Sequence, residues 1–196
     1  LDLYFTSFLQ LVNGLRRVNV NPPAKLLELG CGSGWTSDFL AHLGYDVVGT
    51  TISPYEVEDG RLRLESMRAK HLTPTLQFIA TPMENVYEAT RELGPFDAVF
   101  VHEALHHAYE WQAACRSTFK CLKPGGWFLL CNEPNLLHTF ISYRIARMAS
   151  THEIGFKKRE VVRVLRECGF ENMIPLKARF GFYYRPFWLA AQRPLE

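Results

Sequence analysis

Two short stretches hold most of the side chains that could do chemistry. In Glu28-Leu29-Gly30-Cys31-Gly32-Ser33-Gly34, three glycines at alternate positions follow a mostly apolar run. Glycine tolerates φ > 0 and carries no Cβ, so such a loop brings its backbone close to a ligand. In His102-Glu103-Ala104-Leu105-His106-His107-Ala108-Tyr109, three histidines and a carboxylate fall within one segment. An imidazole near its ordinary pKa of about 6.5 can take a proton from a hydroxyl or amine, which makes His106 and His107, with Glu103 beside them, the candidates for acid–base work. Those three residues and Glu133 could instead converge on a metal. Adjacent histidines rarely chelate together and magnesium prefers carboxylates, so no metal is expected. Cys31, Cys115, Cys121, Cys131 and Cys168 are widely spaced, with no Cys-x-x-Cys or Cys-x-x-His pair. They read as buried thiols of a reducing cytoplasm, neither a zinc site nor a disulfide framework.

These residues need elements to position them. Lys25 to Leu29 reads as a buried parallel strand that breaks into the glycine loop, and Trp35 to Leu43 as the helix that follows. Strands are expected at Asp46–Thr51, Leu76–Ala80, Phe96–Val101 and Trp127–Cys131. Helices are expected over Pro54–Lys70, Glu84–Leu93 and Tyr109–Leu122, the long first one weakened by Gly60. Five alternations of strand and helix argue for a parallel sheet covered on both faces, whose ligands bind at the carboxyl ends of the strands. A late helix over Lys157–Cys168 and strands at Met173–Arg179 and Phe187–Gln192 close the chain. A nicotinamide dinucleotide loop would need glycine where Trp35 stands, and an acid about 20 residues on, where Thr50 and Thr51 end the second strand.

Taken together, these motifs resemble those of the class I S-adenosylmethionine-dependent methyltransferases. Glu28-x-Gly30-x-Gly32-x-Gly34 resembles the family's motif I. Phe96-Asp97-Ala98-Val99 resembles its fourth-strand motif, and Leu122-Lys123-Pro124-Gly125-Gly126 its turn before the fifth strand. Thr151 to Phe170 is similar to the helix after its lid insertion, and the likeness covers residues 24–193. It implies an α/β Rossmann-like methyltransferase fold, a seven-stranded and mostly parallel sheet with helices on both faces and the last strand antiparallel. With no internal repeat or linker, one domain over 1–196 is expected, and the two segments outside the alternation read as covers of the strand ends, 1–20 as an N-terminal lid helix and 133–156 as a substrate-lid insertion. The implied cofactor is S-adenosyl-L-methionine, leaving as S-adenosyl-L-homocysteine. Its contacts carry over onto Glu28, Gly30, Cys31, Gly32 and Gly34 of the loop, and onto Thr51, Ile52 and Ser53 after the second strand. Thr81, Pro82 and Met83 follow the third strand and His102 ends the fourth. His107 matches the histidine of the family's Leu-His-His segment.

The chain departs from the family in two places. Thr50-Thr51-Ile52-Ser53 stands where an acid usually bridges the ribose hydroxyls, an ending similar to that of the cyclopropane fatty acid synthase branch. In that branch a Glu and a His at the positions of Glu103 and His107 hold bicarbonate. Thr81-Pro82-Met83 stands where an Asp often reads the adenine amino group, leaving Thr81 to accept that hydrogen bond and Met83 to pack on the ring.

Composition limits the partner. The 196 residues carry 22 Lys plus Arg against 20 Asp plus Glu, a net charge of +2, without the basic stripe that displaces counterions from nucleic acid. Lys157-Lys158-Arg159 is the densest basic cluster and reads as a solvated helix start. No apolar run reaches the roughly 18–20 residues of a membrane span. Leu1 to Val12 lacks the basic flank and small-residue cleavage site of a signal peptide. The chain opens on Leu1, as a processed form or an excised domain would. The expected function is methyl transfer to an oxygen or nitrogen of a small molecule, such as a sugar or natural-product intermediate. The rivals are a lipid-modifying methyl transferase of the cyclopropane synthase branch and a non-catalytic cofactor-binding or scaffold domain. Asn132 and Glu133 should face the cleft, and His138, Tyr143, Arg144, His152 and Glu153 lie in the lid insertion. The Phe180, Phe182, Tyr183, Tyr184, Phe187 and Trp188 cluster reads as core or a partner surface.

Overall fold

Leu26, Leu27 and Leu29 are fully buried because their strand, Lys25–Leu29 (β1), lies inside a sheet covered on both faces. The computed structural model describes residues 2–69, 75–149, 152–176 and 186–196. Further strands are Asp46–Thr51 (β2), Leu76–Ala80 (β3), Phe96–His102 (β4), Leu122–Glu133 (β5), Glu171–Pro175 (β6) and Phe187–Gln192 (β7). They form one seven-stranded sheet in the order β3-β2-β1-β4-β5-β7-β6. β1 to β5 pair in parallel, and β7 runs antiparallel to both β5 and β6. The helices are Asp2–Arg17 (α1), Trp35–His42 (α2), Pro54–Ala69 (α3), Val86–Thr90 (α4), Trp111–Cys121 (α5), Leu137–Ala149 (α6) and Lys158–Glu167 (α7).

Two apolar layers sandwich the sheet. Val99 and Val101 of β4 join one cluster with Trp111 and Cys115 of α5 and Val161 and Leu165 of α7. Ala98 and Phe100 point to the other, with Leu11 and Leu15 of α1 and Leu40 of α2. A strand buried on both sides reads as an unbroken apolar run, and for that reason its position was plain in the sequence. Along α1 the apolar stripe divides: Leu11 and Leu15 are buried, whereas Tyr4 and Phe5 remain exposed.

Gly60 sits in the middle of α3 because Phe78 of β3 needs the room. A Cβ on Gly60 would lie 2.6 Å from the Phe78 ring, and Gly34, at φ +80°, faces the same ring. The residue that weakens α3 by propensity is therefore what lets that helix approach the sheet.

Several elements depart from expectation. The helix expected over 84–93 starts as a 3-10 turn, Met83–Asn85, and α4 ends at Thr90. β5 begins at Leu122, not Trp127, because Leu122 pairs with Phe96 before a register shift absorbs the Pro-Gly-Gly turn. The insertion after β5 contains a whole helix, α6, that apolar periodicity did not single out. The end of the strand expected over 173–179, and Phe180, Phe182, Tyr183 and Tyr184, lie outside the described residues.

Replacing Gly60 by Ala separates propensity from packing. The change favours the helix by about 1 kcal/mol, while overpacking against a buried ring costs roughly 1–3 kcal/mol. Urea unfolding should therefore find Gly60→Ala less stable than the native chain and Gly60→Ala/Phe78→Leu largely restored. A stabilised single variant would contradict this account of α3.

Candidate functional site

The strand order reverses direction between β1 and β4, and open α/β sheets bind ligands in the crevice outside that point. A cavity of about 690 Å³ lies there. Gly30 and Gly32 after β1 form one wall, Thr51 and Ile52 at the end of β2 the next, and Thr81, Pro82 and Met83 after β3 the third. Glu103, Ala104 and His107 after β4 complete the rim, joined by Tyr109 and Glu110.

The glycine loop is held from below. Cys31 N–H donates to the Thr50 carbonyl and Gly34 N–H to the Cys31 carbonyl, each at 2.8 Å. Beneath the loop, the carboxylate of Glu28, almost wholly buried, accepts a hydrogen bond from the Ser37 hydroxyl of α2. Burial pushes the Glu28 carboxyl up to about 7, against the opposing effect of the Ser37 hydrogen bonds. Glu28 does not line the cavity; it ties β1 to α2 so that the loop between them keeps its shape. Cys31 is buried as well, and burial followed by the nearby Glu28 and Glu56 charges raises its thiol pKa far above the ordinary range. It is an inert packing thiol.

An acid does face the cavity near the end of β2, but it comes from α3. Glu56 lines the cavity, and its carboxylate accepts a hydrogen bond of 2.5 Å from the Thr51 hydroxyl. Ser53-Pro54-Tyr55-Glu56 has the spacing of a capping box, and the Ser53 hydroxyl accepts the Glu56 N–H at 3.3 Å. Glu56 lies outside the sequence expectation, which places such an acid at the end of the strand. The Ser-x-x-Glu start of α3 was the signal that could have found it. Ser53 itself caps the helix and is not part of the cavity wall.

The rim after β4 is fixed by a second buried acid. Glu133, at 0% exposure the last residue of β5, accepts the backbone N–H groups of Ala104 and Leu105 at 3.0 Å and of His106 at 3.3 Å. His106 Nδ1 adds a fourth contact at 3.0 Å. Both the expected cleft-facing role of Glu133 and a catalytic role for His106 are therefore displaced. Glu133 lies under the loop, and His106 is buried against it, away from the cavity lining. His107 is exposed and lines the cavity, and its Nδ1–H donates to the His152 carbonyl at 3.0 Å. A carbonyl can only accept, so Nδ1 carries a proton, and in the neutral ring Nε2 is the nitrogen left to accept one.

Glu103 and Asn132 end neighbouring strands with left-handed backbones, φ +53° and +58°, and the Asn132 amide donates to the Glu103 carboxylate. Desolvation, then the Glu133 charge, raises the Glu103 pKa. Backbone held in this region by non-glycine residues concentrates at functional sites. His102 turns to the other face, where its ring meets Trp35 and Trp188 edge-on and its Nε2 shares a 2.6 Å hydrogen bond with the Ser7 hydroxyl of α1. Burial lowers its pKa to about 4, which keeps the ring neutral. Of the loop glycines, Gly34 packs on Phe78 and stays out of the cavity.

The insertion leans on this rim. Ile154 N–H donates to the His106 carbonyl at 3.2 Å, and His138 Nε2 pairs with the Glu153 carboxylate at 3.0 Å. No helix of the described residues is long and apolar enough to cross a membrane.

Residues 27–130, more than half of the chain, match the family model described as "Methyltransferase domain", and the chain belongs to that family. It is similar to the ubiquinone biosynthesis O-methyltransferase of Bordetella avium, 26% identical over 156 residues that cover 75% of this chain and 62% of the relative. It is 33% identical to the protein of the same name from Psychrobacter arcticus over 175 residues, covering 85% and 66% of the two. The chain thus spans about two thirds of the length of these relatives. In three dimensions it resembles magnesium protoporphyrin IX methyltransferase of Synechocystis, solved with bound S-adenosylhomocysteine. The TM-score is 0.70 at 20% identity, over 95% of this chain and 81% of that one.

The buried Glu28 makes a signed prediction. Its carboxyl is raised in the folded chain from the ordinary 4.5 to about 7. The folded state therefore binds the extra proton between those values, and stability falls as pH rises through them. At about 1.4 kcal/mol per pKa unit the loss is on the order of 3 kcal/mol, complete above neutral pH. Urea unfolding across this range should show Glu28→Gln lacking that component of the slope. Parallel curves for variant and native chain would refute the assignment.

Proposed function

We propose that this chain is an S-adenosylmethionine-dependent methyltransferase acting on a hydroxyl oxygen of a small-molecule acceptor. The observation that carries the reading is the cavity at the strand-order reversal, walled by the glycine loop and faced by Glu56 and His107. Its volume falls in the range of roughly 300–1,000 Å³ of small-molecule and cofactor sites. The residues present fit the cofactor. Gly32 brings backbone without a side chain to one wall, and a Cβ there would project toward Glu56, 3.7 Å away. Glu56 supplies the carboxylate for ribose hydroxyls that β2 lacks, with Thr51 orienting it. Ile52, Pro82 and Met83 offer the apolar surface for the adenine ring, and Thr81 a hydroxyl at its edge. Glu28 and Cys31 act through the loop that they shape, and Gly34 through its turn.

S-adenosylmethionine supplies a methyl group already activated on a sulfonium, so the chain's task is mainly alignment. His107 lines the cavity, and its Nε2, the nitrogen not engaged by the His152 carbonyl, takes the acceptor's hydroxyl proton. Its Nδ1–H bond to the His152 carbonyl fixes the tautomer, and Glu133 fixes the loop that carries it. Glu103 and Asn132 form a polar edge on which the acceptor is oriented. His102, neutral and packed between two tryptophans, forms part of the floor under α1, and α1 with the 133–156 insertion covers the acceptor side. The names of the curated relatives support oxygen over nitrogen as the atom methylated. Five unpaired cysteines suit the reducing cytoplasm as its compartment.

Titration calorimetry with S-adenosylhomocysteine tests this reading. The native chain should bind at micromolar concentration, Gly32→Trp should abolish binding and Glu56→Ala should weaken it at least tenfold, the worth of one charge-assisted hydrogen bond. His107→Ala should bind like the native chain and lose roughly 10²–10⁴ in methyl-transfer rate. No binding to the native chain at millimolar concentration would overturn the proposal. Full turnover in the histidine variant would remove His107 from the mechanism.

A further inference from the structure

Helix α6 shows solvent the face that an amphipathic helix normally hides. Leu137, Phe140, Ile141 and Met148 recur at the three- and four-residue spacing of one helical side, and all are exposed, Phe140 by 74% and Met148 by 84%. Its opposite side is the one fastened to the protein. Ser142 is buried, His138 pairs with Glu153, and the Thr139 hydroxyl accepts the Gly155 N–H at 2.7 Å. Arg144 and Arg147 are exposed on the apolar side, and α6 contains no Asp or Glu. Lys157, Lys158 and Arg159 follow, also exposed. Residues 144–159 hold those five cations against a single acid, Glu153, which His138 engages.

We propose that the outward face of α6 is a membrane-docking surface that lies flat on an anionic lipid bilayer. Apolar side chains interleaved with cations on a convex helix fit the headgroup–acyl boundary: the rings and aliphatic chains enter, and the guanidinium groups reach up to phosphates. Tyr143, exposed on the flank, has the amphipathic shape favoured at that depth. A second copy of this chain is a poor occupant. A two-fold contact through α6 would face Arg144 and Arg147 with the same arginines and no acid to pair them. α6 is convex, so it offers a peptide no groove. β5, which leads into α6, ends on the same side of the sheet as the strands beneath the cavity. Docking would turn the cavity end of the sheet toward the lipid. The surface is independent of the chemistry at the cavity and stands whether or not methyl transfer does.

Co-sedimentation of the full chain with vesicles tests it. Vesicles of phosphatidylcholine with about 30% phosphatidylglycerol should bind the chain at least tenfold better than pure phosphatidylcholine. Raising salt from about 0.1 M to about 0.5 M should weaken that binding severalfold, because surface charge is then screened within a few ångströms. Phe140→Ser/Ile141→Ser and Arg144→Gln/Arg147→Gln should each lose about tenfold with unchanged melting temperature, since all four residues are exposed. The proposal fails if the native chain stays in the supernatant, or if both variants sediment as it does. It fails equally if analytical ultracentrifugation without vesicles finds a native dimer that Phe140→Ser/Ile141→Ser dissolves.

Discussion

The rim of the cavity hangs from one buried carboxylate. Glu133 ends β5 with no exposed surface and gathers three consecutive backbone N–H groups and one imidazole from the segment after β4. A buried charge is tolerable only when its lone pairs are met by donors, and here all four contacts come from residues 104–106. The carboxylate therefore dictates the path of that loop. It places Ala104 against the glycine loop, puts His106 underneath, and leaves His107 facing the cavity. Only Pro134, Asn135 and Leu136 separate Glu133 from α6, so the same residue fixes where the insertion begins.

A second buried acid does the equivalent work beneath the glycine loop. Glu28 has one side-chain donor, Ser37, and its carboxyl is raised toward neutrality, whereas Glu133 is surrounded by donors. The two strands that flank the strand-order reversal, β1 and β4, thus carry loops moulded by buried carboxylates from below. Of the groups that line the cavity, Glu103 and His107 sit on the loop after β4 and Glu56 on the first turn of α3. Rigid strands with short, internally bonded loops suit a reaction in which alignment supplies most of the rate.

Much of this was legible in the sequence because the informative segments were short and extreme. β1, β2, β3 and β7 appear at the residues expected: β1, β2 and β7 are buried almost throughout, and β3, at the sheet edge, buries Leu76 and Phe78 and exposes Gln77 between them. The glycine loop was legible for the same reason, as was His107 from its place after β4. What was not legible depended on contacts between distant residues. Nothing local shows that Gly60 makes room for Phe78, that Glu133 lies under the loop, or that His106 is taken up by it. Glu56 was hidden differently: its capping-box spacing was visible, but that pattern reads as a helix start and does not announce that the side chain turns aside to meet Thr51. α6 is not legible as a core helix because its apolar side faces outward.

The central claim is that the cavity at the strand-order reversal holds S-adenosylmethionine with Glu56 in place of the missing strand acid. Diffraction from crystals grown with S-adenosylhomocysteine tests it directly. The account predicts ligand density in that cavity, with the ribose hydroxyls on the Glu56 carboxylate, the adenine between Ile52 and Met83, and the sulfur end turned toward His107. Ligand bound elsewhere, or bound there with the ribose remote from Glu56, would contradict it.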